Sequence, residues 1–190
     1  MRARMALLLA NLQVELREVV LRDRPKHMME ISPKGTVPVL LLPDGTVLEE
    51  SMDIMLWALD ESLLVGDWED LVDGNDGDFK HHLDRYKYNN RYEDPLKPEQ
   101  HRSHVVEFLE HYNQRLSTTA FLCGDACTIA DYALAPFVRQ FANTDRTWFD
   151  ALPYPHLHRW LAEILEGETF RNCMVKHPQW HENDEPVVFG

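Results

Sequence analysis

The sequence predicts two successive classes of structure, an α/β half followed by an all-α half. Three observations carry this reading: an apolar hairpin pattern around Asp44-Gly45, purely helical periodicity downstream of residue 79, and a glycine-rich acidic stretch between them. They divide the chain into a first domain over 1–65, a linker over 66–78 and a helical domain over 79–190.

Met5, Leu8, Leu9 and Leu12 recur at helical spacing, so Arg2 to Leu12 reads as an amphipathic helix that begins without a cap. Val14 to Val20 alternates apolar and charged residues as a strand does, and a short helix follows at Pro25–Ile31. Val37–Leu42, the turn Pro43-Asp44-Gly45 and Thr46–Glu49 form a hairpin, because Asp-Gly between apolar runs supplies the turn. Ser51 then caps a helix carrying Ile54, Met55, Leu56, Leu59 and Leu63. Past the stretch Gly66–Asp78, helices are expected over Phe79–Tyr92, His101–Arg115, Thr128–Ala142, Pro155–Ile164 and Thr169–Val175, with no internal repeat.

With 190 residues, 44% of them hydrophobic, the chain can bury a substantial core. Its net charge of −13 argues against nucleic acid and anionic membranes as partners, since both recruit clustered Lys and Arg. Three cysteines without a C-x-x-C pair suggest no disulfide framework and fit a reducing cytoplasm. Cys123, Cys127 and Cys173 read as small buried hydrophobes. Ala6–Ala10 is too short to span a bilayer, and no cleavage site follows it.

Two clusters could carry chemistry. In Gly35-Thr36-Val37-Pro38, the proline is either a plain trans residue opening a strand or a cis residue that turns the Val37 main chain towards an extended peptide. Glu50-Ser51 sits where a strand meets a helix start, whose free N–H groups favour a carboxylate while Glu50 can accept from an ammonium group. Read plainly, Ser51 is only a cap. His101 and His104 share a helical side, but no third ligand accompanies them, so a solvated face is the expectation and no metal is assigned. Trp57, Trp148 and Trp160 are expected in the core or a domain interface, and Tyr86, Tyr88 and Tyr92 likewise.

The run Pro33-Lys34-Gly35-Thr36-Val37-Pro38-Val39-Leu40, then Asp44-Gly45, then Glu50-Ser51, resembles the glutathione-site half of the glutathione S-transferase superfamily. A second stretch, Gly124-Asp125-Ala126-Cys127-Thr128-Ile129-Ala130-Asp131, is similar to the capping box inside that family's helical domain, with Asp131 in place of the usual Glu or Gln. The resemblance covers Met1 to about Val175 and leaves the acidic tail His181–Gly190 without a role. It implies a thioredoxin-like first domain and a helical second domain. It also implies that Val37 and Pro38 bind the cysteinyl backbone of glutathione, while Glu50 and Ser51 hold its γ-glutamyl end. Arg24 stands where omega-like members carry a lysine directed at the glycyl carboxylate, and Lys34 is its rival for that role.

Members of that family normally begin with a strand and a loop bearing Cys, Ser or Tyr. This sequence starts within the helix that follows, so the catalytic residue is expected upstream of Met1, on a segment of roughly ten to fifteen residues. The resemblance implies a cytoplasmic homodimer that uses glutathione as cosubstrate, without a metal, to conjugate or exchange thiols with a small hydrophobic or electrophilic molecule. The alternative is a non-catalytic binding or regulatory protein of the same fold, as in stringent starvation proteins.

Overall fold

The structure is a computed structural model that describes residues 1–190. The chain forms two compact units, one from Met1–Asp60 with Glu168–Gly190 and one from Glu61–Gly167. The first unit therefore takes both ends of the chain, whereas the sequence placed everything after residue 79 in one helical domain.

In the first unit, α1 (Arg2–Leu9) starts without a side-chain cap and ends where Asn11 turns into the left-handed region at φ 51°. Ala3, Met5, Ala6 and Leu7 are its buried apolar residues. The expected strand Val14–Val20 is reduced to β1 (Val14–Glu15), and α2 follows at Lys26–Ile31. β2 (Leu40–Leu41) and β3 (Val47–Leu48) form the expected hairpin. Its loop has three residues, with Gly45 N–H bonded to Leu42 O at 3.0 Å and Leu42 N–H to Thr46 O at 2.8 Å. Gly45 takes φ 90°, a conformation open to glycine, and Asp44 Oδ1 receives the Thr46 N–H at 2.9 Å.

α3 (Ser51–Ala58) packs against α1 and buries Ile54 and Met55. It stops earlier than its apolar spacing implies, because Leu59 is extended. Ser51 is the first helical residue and not the cap. Glu50 occupies the cap position, and neither residue makes a side-chain capping bond.

The last residues complete this unit. α10 (Glu168–Cys173) packs on α1, and β4 (Val188–Phe189) pairs antiparallel with β1 in the register Val14↔Phe189, Glu15↔Val188. Arg17 lies 4.6 Å from the Trp180 ring centroid and Arg4 lies 5.6 Å from that of Phe189; Arg4 also pairs with Glu18. The tail that lacked a role in the sequence contributes the two-residue strand Val188–Phe189. The unit's strands form two separate two-stranded sheets, β1 with β4 and β2 with β3.

In the second unit the acidic stretch expected as a linker is helical: α4 (Trp68–Gly74) runs through a π-turn at Asn75–Phe79 into α5 (Lys80–Lys87). Leu71, Val72, Asn75 and Phe79 fall on one side of this helix and are buried, so packing outweighs the glycines. α6 (Pro98–Arg115), α7 (Ile129–Ala142) and α9 (Pro155–Glu166) enclose a core of Leu83, Leu109, Tyr112, Leu134, Phe141 and Trp160. A further short helix, α8 (Arg146–Asp150), is capped by Asp145, whose Oδ1 accepts from Trp148 N–H at 3.0 Å. Asn113 on α6 accepts the N–H groups of His156 and Leu157 at 3.0 and 3.1 Å, satisfying the start of α9 from a neighbouring helix.

Candidate functional site

The site begins at the peptide bond Val37–Pro38, which is cis. Val37 is 49% exposed, and the extended chain runs on from it into β2. The preceding loop is held by Arg24, whose Nε donates to Gly35 O at 2.6 Å. Gly35 sits at φ 62°, and a Cβ there would meet Arg24 Nε at 3.0 Å and Met29 Sδ at 3.1 Å. Arg24 therefore braces the loop with one nitrogen while its terminal amino groups remain available to a carboxylate.

Fourteen residues after Val37, the start of α3 supplies the second element. The N–H groups of Ser51 and its neighbours precede the first bond within the helix, Ile54 N–H to Glu50 O at 3.2 Å, so they are open to an acceptor. Asp53 places a carboxylate in this first turn, so an anionic ligand shares the helix dipole with it.

Lys34 bridges the two elements. Its Nζ lies 2.8 Å from Glu50 Oε1, with both side chains more than half exposed. That bond to Glu50 and the carboxylate's charge hold the Lys34 ammonium above its usual range. Lys34 is thus paired with Glu50, while Arg24 commits only its Nε to Gly35, a division that no local sequence signal displays. Beneath them the buried Ser32 hydroxyl donates to Glu49 Oε1 at 2.5 Å, tying the end of α2 to the strand that leads into α3.

Arg24, Lys34, Val37, Pro38, Glu50 and Ser51 all lie in the first unit. The same unit contains a cleft of about 1060 Å³, lined at one end by Val37 and Pro38 and elsewhere by Ala3, Leu7, Ile54 and Trp57. Trp57 is 44% exposed and stands on this cleft, not in the core; Trp160 alone of the three singled-out tryptophans is fully buried. Cys173 also lines the cleft and is buried, with its Sγ 3.6 Å from Met1 O.

The other cysteines are half-buried, not buried, and belong to the second unit. Burial pushes the Cys127 thiol up to about 12 and raises Cys123 as well, so both stay protonated and unreactive near neutrality.

Asp131 is the most heavily bonded carboxylate of the second unit. It reaches back to Thr128 N–H at 2.8 Å, completing the capping box of α7, and accepts the Thr128 hydroxyl at 3.0 Å. Its other oxygen accepts Leu122 N–H at 2.9 Å and Trp160 Nε1–H at 2.8 Å. The box therefore locks a loop and a core indole as well as a helix start.

His101 is buried, contrary to the solvated face expected of it, and its Nδ1 lies 2.8 Å from His82 Nδ1. His104 stacks on His82 with ring centroids 4.3 Å apart, and Asp94 Oδ1 lies 3.4 Å from His101 Nε2.

A helical second unit and a first unit with helices over small sheets, a cis proline leading a strand, and a helix start beside it define a thioredoxin-like and helical architecture. The family profiles agree: residues 1–61 match the glutathione S-transferase N-terminal domain and residues 81–163 match the glutathione S-transferase C-terminal domain. The chain belongs to the glutathione S-transferase superfamily.

Solved structures share its fold. A class Gtt2 glutathione S-transferase of Vibrio parahaemolyticus aligns over 90% of both chains with 21% identity and a TM-score of 0.74. Poplar glutathione transferase F1 aligns over 91% of this chain and 90% of its own with 20% identity and a TM-score of 0.75. A glutathione S-transferase from Methylobacillus flagellatus with GSH bound covers 90% of this chain and 92% of its own, at 22% identity and a TM-score of 0.71. Among curated proteins none matches the sequence significantly.

Proposed function

We propose that this chain binds glutathione along Val37–Pro38 and delivers its thiol to a small hydrophobic electrophile, by conjugation or by thiol exchange. The observation that carries the reading is exposed Val37 at the cis bond, in a loop that the Lys34–Glu50 pair ties to the open start of α3. There the Val37 N–H and C=O pair with the cysteinyl residue of the tripeptide as a strand would. The γ-glutamyl carboxylate lies on the N–H groups and hydroxyl of Ser51. Its ammonium group meets Glu50, displacing Lys34 from one carboxylate oxygen. Lys34, once released, and the Arg24 amino groups are the two cations within reach of the glycyl carboxylate.

Glutathione's thiol has a pKa of about 8.5, so the reaction needs a group that stabilises the thiolate next to Val37. Burial holds the Cys123 and Cys127 thiols protonated near neutrality, so neither offers a thiolate of its own for exchange. The site residues described here bind and orient the tripeptide, and the activating group is to be sought outside them. The absence of a membrane-length apolar helix and three free cysteines fit a cytoplasmic protein, and we extend the proposal to a homodimer.

Isothermal titration with glutathione tests the reading. Saturable binding is expected, weakened about tenfold by Ser51→Ala through loss of one charge-assisted hydrogen bond of about 1.5 kcal/mol. No heat at millimolar glutathione would sink it. The non-catalytic reading of the same fold is favoured by the Lys34–Glu50 pair, which engages the Glu50 carboxylate in the unbound chain; under it, Lys34→Ala leaves glutathione without effect, whereas here the variant binds glutathione with altered affinity.

A further inference from the structure

Four of the chain's ten histidines gather at one contact of the second unit. His81 and His82 belong to α5, His101 and His104 to α6. His82 lies at the centre, with the ring centroids of His81, His101 and His104 at 4.9, 5.1 and 4.3 Å from its own.

Two nitrogens of this group are already placed as a chelate places them. His82 Nδ1 and His101 Nδ1 stand 2.8 Å apart. A first-row divalent metal holds imidazole nitrogen at roughly 2.0–2.1 Å, so two donors at a right angle are about 2.9 Å apart and two at a tetrahedral angle about 3.3 Å apart. The observed spacing matches the right angle. Without a metal the same pair shares one proton, since one nitrogen has to donate and the other to accept.

Behind His101, Asp94 Oδ1 lies 3.4 Å from Nε2, a nitrogen with no hydrogen bond of its own. Arg85 Nε and Leu96 N–H fix that carboxylate at 2.7 and 2.9 Å. A carboxylate on the far nitrogen favours the Nε2–H tautomer and leaves the Nδ1 lone pair to a metal. Burial and the neighbouring imidazoles lower His82, and burial lowers His101, so both are neutral and have lone pairs to offer at pH 7. Asp78 faces His82 with a further negative charge.

We propose that His82 and His101 form a two-histidine clamp for a divalent cation of square-planar or tetragonal preference, Cu2+ or Ni2+, with Asp94 orienting His101 and His104 as third ligand. No three ligands converge in the unbound chain. His104, exposed and stacked on His82, reaches the cation by a change of rotamer, and water takes the open positions. The cation takes the place of the shared proton, which moves to His82 Nε2, and it fastens α5 to α6.

Isothermal titration of the full chain with CuCl2, NiCl2 or ZnCl2, in a buffer without chelating groups and without glutathione, tests the clamp. One cation per chain is expected, Ni2+ binding more tightly than Zn2+ and Cu2+ more tightly than either. His82→Gln should weaken Ni2+ at least tenfold, and Asp94→Asn roughly tenfold by releasing His101 from its orientation. Saturating Ni2+ should raise the Tm of the wild type and leave that of His82→Gln unmoved. In the wild type, substoichiometric Cu2+ should broaden the ring protons of His82 and His101 before those of histidines outside the group, a readout that needs no variant. Absence of saturable binding, undiminished affinity in His82→Gln that is folded by circular dichroism, Zn2+ bound as tightly as Ni2+, or simultaneous broadening of all histidines overturns the proposal. Glutathione is absent throughout, so the outcome is independent of the proposed function.

Discussion

At the scale of single residues, Asp131 concentrates more structure than any other charged group. Four donors converge on one fully buried carboxylate, from Leu122, Thr128 twice and Trp160. Removing the acceptor strands three main-chain and side-chain N–H groups and a hydroxyl in a dry interior, each costing about 1 kcal/mol or more. Asp131→Ala is therefore expected to cost about 3–5 kcal/mol, read as a fall in the urea midpoint, and Asp131→Asn to recover part of it. The Thr128–Asp131 half of this arrangement was legible as a capping box, since it is a three-residue spacing. The bonds to Leu122 and Trp160 were not, because they depend on where the fold brings residues 9 and 29 positions away.

At the scale of elements, the pairing of α5 with α6 carries an acid-sensitive contact. His82 and His101 meet across it, faced by His81, Asp78 and Arg85 on the α5 side and by His104 on α6 and Asp94 before it. Burial, reinforced for His82 by the imidazoles of His104, His81 and His101, lowers both His82 and His101 below the ordinary imidazole range; Asp94 only partly offsets this at His101. A lowered folded value means the unfolded chain takes up protons first. Stability is then complete above about pH 6.5 and declines as pH falls from there to the folded values, where the loss levels off. Thermal melts between pH 7.5 and 5 check this: the wild-type Tm should fall more steeply than that of His82→Gln, and parallel curves would remove the contact from the explanation.

The same scale separates what was readable from what was not. The hairpin β2–β3 was readable because Pro43-Asp44-Gly45 contains its own turn chemistry, and α6, α7 and α9 because apolar residues repeat over three or more turns. The helix through 68–79 was hidden by Gly74, Gly77 and a run of acids, although Leu71, Val72 and Phe79 already had the spacing of one helical face. β4 could not be seen at all: a two-residue strand is defined by its partner and not by its own pattern. In the candidate site, Val37, Pro38 and Ser51 were placed by local motif, whereas the Lys34–Glu50 pair links residues 16 apart and needed the fold.

At the scale of the whole molecule, the first unit is assembled from the chain's two ends, with α10 on α1 and β4 on β1. Phe189 is 6% exposed although it is the penultimate residue. Phe189→Ala should cost about 3 kcal/mol, the usual order for deleting a buried ring, and should expose Trp180 to quencher before the second unit melts. If the urea midpoint is unmoved, β4 is ornamental and the tail contributes nothing to the first unit.

That closure also sets an order of events during synthesis. A ribosome adds roughly 5–20 residues per second, so the helices of residues 61–167 leave the exit tunnel and can fold while β1 still has no neighbour on its outer side. The outer edge of β1 is thus covered only after the second unit has been made, and for several seconds its unpaired main chain is a natural client for a chaperone.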